Sequence, residues 1–247
     1  MTSATRYLIP NWPAPKQVKA YCTTRQHSAS SSKTYHFNLA QHVGDTPNKV
    51  EQNRQQLIQD LDLPQSPLWL NQVHGTQVIA HTHEIPKQPP TADALYSTHK
   101  HEVCAVMTAD CLPVLFCDQQ GTWVACAHAG WRGLCAGILE QTVAQYPKPA
   151  QVMAYLGPAI SRRAFEVGHE VRDAFIAVNP NAAKAFTPSG DRFHANLYAL
   201  AKQRLQAIGV TQVYGGQYCT YHDSNLFFSY RKQQITGRQA SLIWLST

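Results

Sequence analysis

No stretch of eighteen consecutive apolar residues occurs in this 247-residue chain, so no segment qualifies as a membrane-spanning helix. The opening MTSATRYLIPNWPAP has neither a basic stretch followed by an apolar core nor a cleavage site, and the expected location is cytoplasmic. Charge is sparse: 15% of residues are Asp, Glu, Lys or Arg, against about a quarter in ordinary globular domains. The 21 basic residues outnumber the 15 acidic ones but form no run of four, which argues against nucleic acid. A diffuse positive surplus suits either solubility or attraction of small anions to a cleft. The seven cysteines are odd in number and contain no C-x-x-C pair, so disulfides are not the framework. G-x-S-x-G, the Walker loop, H-E-x-x-H and G-x-G-x-x-G are all missing, which removes the usual serine hydrolases, P-loop enzymes, zincins and Rossmann dehydrogenases.

What is present is a chain that is 44% hydrophobic, long enough for a sizeable core and a formed cleft, and free of repeats or a composition break. Leu8 to Trp12 and Val18 to Cys22 read as short strands, and Ser28 to Ser32 as a surface loop. Asp45-Thr46-Pro47 opens a helix in which Val50, Leu57, Ile58 and Leu61 recur at helical spacing before Pro64. Strands are predicted at Leu68 to Val73 and Gln77 to His81, around a turn at His74-Gly75-Thr76. Val103 to Met107, Leu112 to Cys117 and Trp123 to His128 are nearly continuous apolar runs, the pattern of strands covered on both faces. Helical spacing follows Gly133 and ends at Pro147. Beyond it come a strand at Val152 to Leu156 and helices around Val171 to Val178 and Leu197 to Ile208. Further strands fall near Val213, Gln217 to Tyr221, Phe227 to Tyr230 and Leu242 to Leu245. Strands and helices mix without strict alternation, which predicts an α+β fold.

Chemical groups concentrate at the ends of the buried strands, in Asn71-Gln-Val-His-Gly75, Thr108-Ala-Asp-Cys-Leu-Pro113 and Ala127-His-Ala-Gly-Trp-Arg-Gly133. His74, Cys111 and His128 supply one thiol and two imidazoles, a set that suits zinc and leaves a fourth position open. Two other readings stand beside it: a buried thiol with two hydrogen-bonded histidines, and a Cys111 thiolate nucleophile with a His base. The glycines and Arg132 of the third segment suit an anion near Gly133, or mark a tight strand-to-helix turn. Gly44-Asp45 carries a weaker signal of the same kind, with Asn38 and His42 nearby. Phe227-Phe-Ser-Tyr-Arg231 reads either as a core strand or as a surface that stacks on a flat base while Arg231 grips a charge. His81-Thr-His83 and His99-Lys-His101 read as solvated loops.

Taken in order, these segments resemble the YfiH-like proteins, variously called laccase-like multicopper polyphenol oxidases, purine nucleoside phosphorylases or peptidoglycan editing factors. The likeness covers nearly the whole chain as one domain, 1–247. It runs from Phe37-Asn-Leu-Ala-Gln-His-Val-Gly-Asp45 and Asn53-Arg54 through Gln72-Val-His-Gly75, Thr108 to Pro113, His128 to Gly133 and Gly157-Pro-Ala-Ile160 to Phe227 to Arg231 and Thr236-Gly-Arg238. One departure is Lys232-Gln233-Gln234, where the family often shows Arg-Asp after Arg231.

The resemblance implies layered mixed sheets flanked by helices, with zinc held by His74, Cys111 and His128. It implies phosphorolysis of adenosine and inosine, similar cleavage of methylthioadenosine, and deamination of adenosine. In that reading purine nucleosides and phosphate are the partners, with Asn38, Arg132, Gly133 and Arg231 as their contacts and Asp110 orienting a ligand or moving a proton. The expected assembly is a monomer or small homo-oligomer. The competing readings are a cysteine hydrolase or deamidase using Cys111 and a His, including one that edits a cell-wall precursor, and a non-catalytic metal-stabilised binding protein. A copper polyphenol oxidase fits poorly, because the chain lacks the H-C-H segment that couples several coppers in laccases.

Overall fold

The structure is a computed structural model and describes residues 6–27 and 34–246. Two sheets stack face to face. The four-stranded one is antiparallel throughout, in the order Tyr7–Leu8, Val18–Thr23, Gln239–Leu245, Cys104–Thr108. The six-stranded one runs Gln212–Gly215, Val152–Leu156, Leu112–Asp118, Val124–Ala129, Ala94–Ser97, Val78–Ala80, and only its two outermost pairs are parallel. A small sheet of Phe186–Ser189, Arg192–Ala195 and Glu166–Val167 sits apart from both.

The two-residue strand period sorts the core into layers. On the six-stranded sheet Leu115, Cys117, Val124, Cys126, Met153 and Tyr155 turn inward and meet Val18, Ala20, Cys104, Val106 and Ile243 of the four-stranded sheet. Val114, Phe116, Ala125, Ala127 and Ala154 turn outward onto the helices Trp131–Ala136, Ile138–Val143, His169–Val178 and Leu197–Ala207. On the far side, Ala105, Met107, Leu242 and Trp244 pack against Leu57 of the helix Pro47–Leu61. The central strands are buried at every position, which explains their unbroken hydrophobicity. The architecture is α+β, as predicted, and among the described residues no helix is long and apolar enough to cross a membrane.

Several predicted elements differ. Leu8 to Trp12 pairs only at Tyr7–Leu8, since Pro10 and Pro13 cannot donate to a ladder. Leu68 to Val73 is not a strand: it makes isolated bridges at Leu68 and Asn71, and the Val73 amide turns to a side chain instead. Gln217 to Tyr221 contributes one bridge, Cys219 to Ala159, and Phe227 to Tyr230 is irregular instead of a strand. The burial of Phe227 and Phe228 is what their hydrophobicity signalled. The helix after His128 begins at Trp131 and divides at Gly137, whose φ of 105° breaks the run. Ala94–Ser97 and the Phe186 to Ala195 hairpin were not anticipated. The predicted loop at Ser28 to Ser32 lies outside the described residues.

Candidate metal centre and its pocket

The sheet order places the three chemical segments at one end of the sandwich. His128 occupies the C-terminal end of Val124–Ala129, and Cys111 immediately precedes the neighbouring strand Leu112–Asp118, so the ladder that pairs Leu112 with Ala129 brings them together. His74 arrives on the connection that crosses from the other sheet. One donor atom from each of the three lies within 4.8 Å of the others. The Cys111 Sγ to His74 Nε2 distance is 3.8 Å, and the two imidazoles meet edge to face with centroids 4.7 Å apart. A tetrahedral zinc needs a sulfur-to-nitrogen span of about 3.6 Å, given its usual bond lengths, so the set fits a metal as it stands.

Three features hold the ligands there. The first is Asp93, fully buried at the start of Ala94–Ser97. Its Oδ1 accepts the His74 amide at 2.9 Å and lies 2.8 Å from His128 Nδ1, while Oδ2 accepts the amides of Gly75 at 2.7 Å and Val73 at 3.2 Å. Burial alone would push this carboxyl up, but the His128 and amide hydrogen bonds hold it below the usual range. Accepting a hydrogen bond from Nδ1–H leaves the other ring nitrogen, Nε2, as the one available to a metal, the arrangement a metal-binding imidazole requires.

The second is Gly130. A Cβ there would stand 2.8 Å from His74 Cδ2 and 3.1 Å from Cys111 Sγ, so only glycine leaves room for both ligands. The third is left-handed backbone at His74, with φ of 61°, and at Asp110, with φ of 87°. Such conformations are costly for residues with a Cβ and persist where the surroundings impose them. Burial would raise the Cys111 thiol, yet the adjacent His128 and His74 bring it well below the ordinary value, and His128 is raised in turn by Cys111 and Asp93. The thiolate a metal needs is favoured before any metal arrives.

The ligands line a pocket of roughly 340 Å³, closed by Gln72, Met107, Thr108, Ala109, Tyr230, Arg238 and His42. Its cation is Arg238, whose guanidinium donates to the carbonyls of Thr236 and Gly237 and reaches toward the Tyr230 ring. Burial lowers the His42 pKa, as do the neighbouring Arg238 and Arg54, which keeps that imidazole neutral.

The other predicted contacts fall elsewhere. Asn38 is completely buried, and its amide ties Ala40, Asp45 and the Arg238 backbone, so it positions Arg238 instead of lining the pocket. Arg132 is exposed and lies over its neighbour Trp131. Gly133 faces the Gly75 carbonyl, which a Cβ would meet at 2.8 Å, so its glycine serves a close backbone approach. Arg231 is exposed, donates to the Glu166 carbonyl and sits over Phe165. The Asp110 carboxylate is taken up by Thr220 Oγ1 and the Arg231 amide, both at 2.6 Å, which makes it a brace between distant segments. His81 is buried beside Glu102, so its loop is not simply solvated. Asp93 and Arg238 were the residues that sequence reading missed as site members. Arg238 lay within a quoted motif, whereas Asp93 carries no spacing signal.

The protein is a layered α+β sandwich that carries, at one end of its sheets, a His-Cys-His group able to hold a metal. The family model described as "Multi-copper polyphenol oxidoreductase laccase" matches residues 19–246, and the chain belongs to this laccase-like YfiH family. It is 52% identical to proteins named "Purine nucleoside phosphorylase YfiH" from Shigella flexneri and from Escherichia coli (strain K12), in each case over 242 residues that cover 98% of this chain and 99% of the relative. A crystal structure of a Neisseria meningitidis protein superposes with a TM-score of 0.93 at 49% identity, covering 98% of this chain and 100% of that one.

Proposed function

We propose that the chain is a zinc-dependent purine nucleoside phosphorylase acting on adenosine and inosine. The observation that carries the reading is the joining of the His74, Cys111 and His128 set with Arg238 and Tyr230 in one pocket. In the reaction a phosphate oxygen bonds to ribose C1′ as the bond from C1′ to the purine nitrogen breaks, and the base leaves with a proton. Zinc, when bound, supplies a Lewis acid at the floor of the pocket.

The protein's own groups do the rest. Arg238 offers the charge-assisted hydrogen bonds that a phosphate takes. His42, neutral beside it, both donates and accepts, which suits phosphate and ribose hydroxyls. Tyr230 and Met107 present the flat, apolar wall against which a purine packs, and Gln72 fixes Met107 by bonding both its amide and its carbonyl. The proposal extends to methylthioadenosine cleavage and adenosine deamination as further activities of the protein. Incubation with inosine, with and without phosphate, tests the reading: phosphate-dependent release of hypoxanthine supports it, and no release at high enzyme concentration overturns it. Copper remains compatible with a thiolate and two imidazoles. Elemental analysis decides the metal, with one zinc per chain expected.

A second reading has its own observation. Asp93, His128 and Cys111 line up as orienting carboxylate, base and thiol, the order used in cysteine hydrolases and deamidases, so a hydrolytic use of Cys111 on an amide, including a cell-wall precursor, is the alternative.

A further inference from the structure

A second cavity, of roughly 360 Å³, opens behind the segment that carries Tyr230 and Arg238, and is lined by Arg25, Ser224, Ser229, Lys232, Gln233 and Thr236. Every one of these side chains carries an N–H or O–H donor, two are cationic, and none is a carboxylate. Neutral groups set Lys232 in place. Lys232 Nζ donates to Ser224 Oγ at 2.6 Å and to the Tyr221 carbonyl at 3.1 Å, leaving a third N–H. Arg25 donates to the Ser224 carbonyl at 3.2 Å and lies over the Phe228 ring at 4.8 Å. Among the described residues no carboxylate forms a salt bridge with Lys232.

Thr236 supplies an independent observation. It is only 2% exposed, and its Oγ1 has no hydrogen-bond partner among the described residues. A buried hydroxyl without a partner is uncommon and calls for one. Ser229 is buried beside it, its Oγ accepting the Lys232 amide at 3.2 Å and keeping its own O–H to give. Two cations converging with buried hydroxyls form the donor set that holds a tetrahedral oxyanion.

We propose that this cavity is a binding site for a phosphate group, separate from the pocket of His74, Cys111 and His128. Ser229 and Thr236 face the cavity while Tyr230 and Arg238 face the pocket, and Arg238 bonds the Thr236 carbonyl, so an occupant braces the wall of the pocket from behind. The phosphate comes either from the free anion or from a phosphate monoester.

Isothermal titration of the full chain with inorganic phosphate and with ribose 5-phosphate, at constant ionic strength, tests this. It is done in an Arg238→Met background, which removes the cation of the other pocket. One saturable equivalent is expected, weakened tenfold or more by adding Lys232→Met and at least threefold by adding Thr236→Val. No saturable binding of either compound, or an affinity untouched by Lys232→Met, overturns the proposal. Amide hydrogen exchange in the unsubstituted chain gives a second readout: phosphate is expected to slow exchange across 224–236, and unchanged exchange there counts against the site. Tighter binding of the free anion, or of the ester, identifies the source, and either supports the site. No nucleoside is present, so failure of the phosphorylase reading would leave this result unaffected.

Discussion

Asp93 and His128 share a hydrogen bond of 2.8 Å, and the same carboxylate oxygen that receives it also accepts the backbone amide of His74. One buried group therefore sets the tautomer of one ligand and the position of the other. Asp93→Asn preserves the volume but puts an N–H where an acceptor is needed. Metal affinity is expected to fall by about 10- to 100-fold, read by competition with a chromogenic chelator, and affinity within twofold of the parent would deny Asp93 this role. Asp93→Ala goes further by stranding three amides and an imidazole, and is expected to lower unfolding stability by roughly 3 kcal/mol in urea melts.

Gly130 has φ of −61° and ψ of 158°, which alanine adopts without strain, so Gly130→Ala leaves the backbone alone and acts through its methyl group on His74 and Cys111. The expected outcome is at least a tenfold loss of metal affinity with little change in melting temperature of the metal-free protein. A full metal complement with unchanged turnover would show that the two ligands do not need this space.

Cys111→Ser separates the two chemical readings. As a ligand, Cys111 carries metal and activity away together. Loss of turnover with the metal fully retained would identify the thiol as the nucleophile of a hydrolase.

Arg238→Met is expected to raise KM for phosphate about tenfold, the value of one charge-assisted contact, while Arg132→Ala changes it by less than twofold. The reverse ranking would return the phosphate to the turn between Gly130 and Gly133. Initial rates across a phosphate series at saturating inosine decide between them.

His81 predicts a pH effect away from the site. Burial pushes its pKa below the ordinary value, against the opposing pull of Glu102, whose Oε2 lies 3.8 Å from Nδ1. An unfolded chain protonates this imidazole near pH 6.5 and the folded one at lower pH. Its contribution to stability is therefore present above about pH 6.5 and lost as the pH falls through the folded value. Melting temperature should drop between pH 7.5 and 5.5, and drop less in His81→Asn, whose amide can still donate to the Thr82 carbonyl at 2.8 Å. Parallel curves for the two proteins would exclude His81 as a source.

Unbroken apolar runs made the central strands readable, and helical spacing of apolar residues did the same for Pro47–Leu61, because both patterns are carried along the chain itself. The His74, Cys111 and His128 group was legible as residue types at strand ends, but those types alone left a metal set, a nucleophile with its base and a hydrogen-bonded core cluster all open. Which arginine faces the pocket was not legible. A guanidinium's direction depends on packing, and Arg132 and Arg231 turn outward while Arg238, tied by Asn38, turns in. Asp93 was invisible for the opposite reason: its partners lie 18 to 35 residues away, and nothing local marks a carboxylate that will serve them. The glycines left an anion cradle and a tight turn both open, and the close approach of Gly130 to His74 and Cys111 and of Gly133 to the Gly75 carbonyl shows what their missing side chains admit.

The strand Gln239–Leu245 lies between Val18–Thr23 and Cys104–Thr108, so the last strand among the described residues is an inner strand of its sheet. On the ribosome, every earlier segment emerges before the partner that joins it. Until then two apolar strands expose unpaired edges toward one another across a gap, and Asn38 waits for the Arg238 amide. A nascent chain stalled before this strand should hold the Asp93, His74 and Cys111 region without a finished pocket, and should be the form most dependent on chaperones.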